Sequence, residues 1–170
     1  MLAAILAAGA APSSPESRPA SVVWANRAKG IRLEYPADWH AKKSADYELM
    51  LVTSGANSEE RRITVDIPDL PPHLPWMIQM SRVEHDYLAD LKNAHPDLRV
   101  DLDSEVKLPQ ASARLVRSSW RQNRQVENDV VLLIIHASAV YILDARSDEP
   151  HLGLTRQAFD SIRASLAWTR

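Results

Sequence analysis

The chain has 170 residues, of which 45% are hydrophobic and 25% charged, and its net charge is −2; this fits one globular domain with a short extension and enough apolar material for a core. The near-neutral balance excludes a dedicated nucleic-acid binder, because Lys and Arg are scattered and the tightest pairs are only Lys42-Lys43 and Arg61-Arg62. The absence of cysteine excludes disulfides, thiolate nucleophiles, iron–sulfur clusters and cysteine-based zinc sites.

Residues 2–11 are small and apolar, AGA and GAA at 8–11 look like small-residue cleavage sites, and a Pro/Ser stretch, PSSPESRPA, follows at 12–20. Without a basic n-region, this still matches the end of a secretory signal peptide. It predicts an exported, periplasmic or extracellular protein, with leader and linker over 1–20 and a single domain over 21–170. The apolar run is too short to span a bilayer, which takes about 20 residues.

Val22 to Trp24 predict a short first strand, and Asn26 to Gly30 a turn. Ile31, Leu33 and Tyr35 alternate with Arg32 and Glu34 as in a half-buried strand that Pro36 ends. Tyr47–Thr53 and Ile63–Ile67 predict two further strands around a turn at 54–60, so that 31–67 reads as an antiparallel meander. Trp39 is expected to fold back over the sheet edge. Four prolines over 68–75 make an irregular crossover. Met80, Val83, Tyr87, Leu91 and Ala94 then fall at helical spacing within 76–94, and Pro96 stops the helix. Glu105–Leu108 and Ala111–Trp120 read as strands. Residues 130–145 are apolar at both parities around His136-Ala137-Ser138-Ala139, the pattern of a central hairpin covered on both faces. Leu154, Ala158, Phe159, Ile162 and Leu166 mark a closing helix. The expected class is α+β: a mostly antiparallel sheet with helices over both faces.

Few residues suggest chemistry. Asp38 and His40 are spaced to share a face after a strand, as an acid–base pair might, but no G-x-S-x-G elbow accompanies them and Asx residues commonly shape turns. Glu84-His85-Asp86 diverge by about 100° per residue on a helix and cannot converge on one metal. Asp101, Asp103 and Glu105, at i, i+2 and i+4, line one face of an extended segment and are candidate oxygen ligands for a cation, against a charged edge that discourages sheet pairing. His136 ends an apolar strand and is a candidate binding or hydrolytic residue. Five tryptophans accompany one phenylalanine; Trp24, Trp39, Trp76 and Trp120 are candidates for a binding surface if exposed together. No cofactor signature is present, and none is expected.

The strand ending in Tyr35-Pro36 and followed by x-x-Trp39, the amphipathic helix, the apolar hairpin and the last helix with Phe159-x-x-Ile162-x-x-Ser165-Leu166 together resemble the PsbP-like superfamily of α-β-α sandwiches over residues 21–168. That group includes the extrinsic photosystem II subunit, bacterial DcrB-type envelope proteins and a Ran-binding nuclear-import factor. The resemblance implies a non-enzymatic accessory module of the cell envelope that binds a protein partner, and it transfers no site residue by residue. A small-ligand or cation-binding domain is the alternative. A hydrolase using His136 or the Asp38–His40 pair is a third reading.

Overall fold

A computed structural model describes residues 20–53, 61–70 and 78–169 of the protein. The leader, the turn at 54–60 and most of the proline-rich crossover, with Trp76, lie outside the described residues.

Among the described residues ten strands and two helices follow one another: β1 (Ser21–Asn26), β2 (Ile31–Pro36), β3 (Trp39–Lys42), β4 (Leu49–Thr53), β5 (Arg62–Asp66), α1 (Met80–Ala94), β6 (Arg99–Leu108), β7 (Ala111–Gln122), β8 (Gln125–His136), β9 (Ala139–Asp148), α2 (Leu152–Ser165) and β10 (Ala167–Trp168). A single 3-10 turn, Glu149–His151, joins β9 to α2. Seven strands form one antiparallel sheet in the order β3-β4-β5-β9-β8-β7-β6, and β1-β2-β10 form a second, small one.

The apolar hairpin is β8 and β9, at the centre of the large sheet. On β8, Val130, Leu132 and Ile134 join the larger core beneath α2, while Val131 and Leu133 face α1 with Val116. Both parities are therefore apolar because both faces are covered. α2 seals its face with Ala158, Phe159 and Ile162, and the small sheet adds Ile31, Leu33 and Tyr35 to the same core. Ser165 Oγ accepts the Glu34 N–H at 2.8 Å and so fastens the end of α2 to β2. Met80, Val83, Tyr87 and Leu88 of α1 pack on the opposite face. The expected α+β class with a helix over each face is the observed one.

Three local expectations change. β2 does not begin the meander: β3, β4 and β5 make it, and β2 pairs instead with β1 and β10. Pro36 and the turn after it redirect the chain from one sheet to the other, so alternation in 31–35 marks a strand without revealing its sheet. Trp39–Lys42, not read as a strand, is an edge strand, and Trp39 is buried at 4% exposure as expected of a ring folded over the sheet edge. The strand expected at 105–108 is the end of the ten-residue β6, whose earlier part alternates charged and apolar residues as edge strands do.

Gly30 closes the β1–β2 turn at φ +72°, where an added Cβ would meet the Thr169 carbonyl at 3.4 Å. The same residue's carbonyl accepts the Thr169 N–H at 2.9 Å, so the turn also anchors β10.

Candidate functional site

Two polar assemblies stand out, one beneath α1 and one beside α2. Under α1, the cross-strand register sets Ser118 of β7 opposite Asp129 of β8, and Asp129 opposite Arg146 of β9. Arg62 of β5 lies opposite Arg146, and Asp144 stands on β9 two residues before it. Asp129 is 1% exposed, and Tyr87 reaches down from α1 to donate its hydroxyl to Oδ2 at 2.9 Å. Burial, reinforced by Asp144, pushes Asp129 well above the usual carboxylate range. Tyr87 is likewise pushed up by burial and by the two acids. Asp129 and Asp144 are within hydrogen-bonding reach of each other, and one Oδ1 of each has no other partner. A proton placed between these two oxygens would satisfy both, and Arg146 stands beside the pair. Arg146 also lies 4.8 Å over the Trp120 ring, on which His95 stacks at 4.2 Å. Burial and the Arg146 charge lower the pKa of His95. This seam holds α1 to the sheet.

The second assembly is a cleft of about 500 Å³ between β3 and α2. Its floor is the Trp39–Thr53 pair of β3 and β4, with Arg61 just before β5, one residue ahead of the Arg62–Val52 pair. Pro36 and Asp38 close one end, and Leu154, Thr155, Gln157, Ala158 and Ser161 of α2 form the roof. Thr155 is 2% exposed and its hydroxyl has no partner among the described residues, whereas Leu154 is 65% exposed. A wider depression of about 610 Å³ runs along α1, and its described lining comes from that one helix.

The predicted site residues scatter over the fold. Trp24 lies half-buried on β1 against the larger core, and Trp39 is buried at the floor of the cleft. Trp120 is buried in the α1 seam, and Trp76 lies outside the described residues. His136 Nδ1 lies 2.8 Å from the Gln110 carbonyl, which fixes its proton there, and the ring stacks on Trp168 at 3.9 Å. Asp38 and His40 are both exposed and both line the cleft. Asp103 is paired with Arg114, which holds its carboxyl below the usual range and also meets Glu84 of α1 at 2.7 Å. Asp101 accepts the Ser119 hydroxyl at 3.1 Å beside a β-bulge, and Glu105 lies opposite Arg114. Among the described residues no three His, Asp or Glu groups are placed to hold a metal ion. Sequence reasoning missed Asp129, Asp144 and Arg146. The available signal was a charge inside strands that the apolar pattern requires to be buried on both faces, a place where charges persist only when paired.

The sheet edges differ in chemistry. β3 carries His40 and Lys42, and β6 carries five charged residues along its length. β1, Ser-Val-Val-Trp-Ala-Asn, is an outer edge with no charged residue, and its Val22 and Val23 are 39% and 54% exposed. Among the described residues no helix is long and apolar enough to cross a membrane.

No protein-family model and no curated protein matches the chain. Solved structures do. The chain superposes on cyanobacterial PsbP (CyanoP) from Synechocystis sp. PCC 6803 with a TM-score of 0.68 at 10% identity, covering 93% of this chain and 98% of that one. LpqN, involved in cell envelope biogenesis of Mycobacterium tuberculosis, aligns with a TM-score of 0.58 at 19% identity over 82% of this chain and 83% of its own. The Saccharomyces cerevisiae Ran-binding protein Mog1p aligns with a TM-score of 0.60 at 11% identity over 89% and 96%. The fold is the PsbP-like one.

Proposed function

We propose that this protein is an exported, non-enzymatic accessory module of the cell envelope that works by holding a protein partner, with the outer edge of β1 as its docking strand. The carrying observation is that edge. Six residues present backbone donors and acceptors beside two exposed valines, without the lysines, glutamates or prolines by which exposed edges avoid pairing. An extended segment of a partner that adds to β1 gains main-chain hydrogen bonds and covers Val23. The PsbP-like fold, shared with a protein of cell envelope biogenesis, supports the accessory reading. The leader-like residues 2–11 support export.

The test places a photo-crosslinking amino acid at position 23 in cells producing the full chain, with Val23→Lys as the blunted control. The expected result is one crosslinked envelope partner whose co-purification is lost in Val23→Lys while the thermal midpoint stays within a degree or two, since exposed substitutions cost little. A crosslink to a second copy of this chain, or a partner that Val23→Lys retains, overturns the reading.

A further inference from the structure

We propose that the cleft between β3 and α2 binds a small monocarboxylate with an apolar body, its carboxylate held by Arg61, Thr155 and the first turn of α2. The inference goes beyond the docking strand, and its test does not use β1.

Four independent features converge on the site. The first turn of α2 has no side-chain cap and no acidic residue; the Leu152 N–H bonds back to the Glu149 carbonyl of the preceding 3-10 turn, and the helix start presents the positive end of its dipole. Leu154 and Thr155 of that turn line the cleft. Thr155 is almost wholly buried, yet among the described residues its hydroxyl has no partner; a buried hydroxyl without a partner carries a desolvation cost that a ligand oxygen removes. Arg61 supplies a formal positive charge to the cleft, and a guanidinium matches a carboxylate in two parallel bonds. Of the two acids just before the helix, Asp148 is engaged by His151 Nδ1 at 2.5 Å and Glu149 accepts the Asn128 side-chain N–H at 3.2 Å.

The rest of the lining selects the ligand's charge and body. Arg61 is the only Lys or Arg among the described lining residues and Asp38 stands among them too, so a dianion meets insufficient positive charge and a monoanion is favoured. Trp39, Pro36, Ala158 and the exposed Leu154 give the apolar surface on which the body rests. A volume of about 500 Å³ falls within the range of small-molecule sites, roughly 300–1,000 Å³. Gln157 and Ser161 line the same wall farther along the helix and offer polar contacts to a substituted body.

Calorimetric titration of the full chain with phenylacetate and hexanoate, with phenylacetamide and inorganic phosphate as controls, tests the assignment. Both carboxylates are expected to bind, and the amide to bind about tenfold more weakly or not at all. Arg61→Gln should weaken phenylacetate about tenfold. Thr155→Val, which keeps the shape, should weaken it several-fold without lowering the thermal midpoint, because the hydroxyl leaves no partner behind. Leu154→Glu, on the exposed rim, should weaken phenylacetate more than phenylacetamide, because both lose the apolar contact and only the acid meets charge repulsion. The proposal is overturned if neither carboxylate binds at millimolar concentration, if the amide binds as well as the acid, if Arg61→Gln binds as well as the parent, or if phosphate competes as strongly as phenylacetate.

Discussion

At the scale of single residues, Asp129 is the group on which the most rests. Around it stand Tyr87 from α1, Ser118 from β7, and Asp144 and Arg146 from β9. Burial and the neighbouring Asp144 raise its pKa well above the usual carboxylate range, so the folded state holds this proton more tightly than the unfolded one. The sign of the linkage follows. Above about pH 4 the unfolded chain releases this proton while the folded chain keeps it, so the unfolded state binds fewer protons and stability falls as pH rises. The fall is about 1.4 kcal/mol per pH unit from this group alone, and it ends where Asp129 ionises in the folded state. Asp129→Asn keeps a donor toward Asp144 and removes the titration. Urea unfolding from pH 5 to pH 8 should therefore show a stability gap that widens with pH in favour of the variant. Parallel curves would mean that Asp129 ionises normally in the fold. A second residue-scale tie, Arg114 between Asp103 and Glu84, is partly exposed and contributes less, on the order of 1 kcal/mol.

At the scale of elements, the hairpins show how much was legible in the sequence. Alternating and doubly apolar patterns identify β2, β4, β5, β8 and β9, and the helical spacing identifies α1 and α2, because burial of a face is written directly into residue order. The partner of β2 is not written there: the same alternation serves either sheet, and the choice is made by the corner at Pro36 and by contacts with α2 and β10, far away in sequence. The cleft was half legible. Asp38, Trp39 and His40 drew notice, but Arg61 and Thr155 join them only through the fold. The turn at 137–138 was placed by the apolar arms around it, but its backbone conformation was not legible, and the turn at 123–124 was not read at all. Ala137 and Ser138 adopt φ of 47° and 66°, and Asn123 and Arg124 adopt 51° and 69°. That is the left-handed backbone of a tight hairpin, for which Asn-Gly is the usual signal, and Ala-Ser gives no such signal. The left-handed conformation costs an ordinary residue about 1–2 kcal/mol. Replacing Ala137-Ser138 by Asn-Gly should therefore raise stability by about 1–2 kcal/mol, read as a higher urea midpoint at unchanged slope. No change would show that the strained turn is already offset by the His136–Trp168 stack beside it.

At the scale of the whole molecule, the two faces of the sheet are unequally sealed. α2 buries Thr155, Ala158, Phe159 and Ile162 over a continuous core that also takes in the small sheet, whereas Leu91 is the buried residue of α1. The apolar patch beneath α1 consists of Val116, Val131 and Leu133, with half-buried side chains around it. What holds α1 is in large part polar: the Tyr87 hydroxyl on Asp129 and the Glu84–Arg114 pair. Such contacts contribute about 1 kcal/mol each, net of the water they displace, less than the burial of a large apolar side chain. The helix should therefore open as a unit before the sheet does. Native-state hydrogen exchange should give the α1 amides a lower opening free energy than those of β8, β9 and α2, with little denaturant dependence because little apolar surface is exposed. Removing the Tyr87 hydroxyl by Tyr87→Phe should lower the α1 value alone, by about 1 kcal/mol, and leave the β8 and β9 amides at the global value. If α1 and β8 exchange together in the parent and fall together in Tyr87→Phe, the molecule is a single cooperative unit and the polar seam is as firm a join as the core beneath α2.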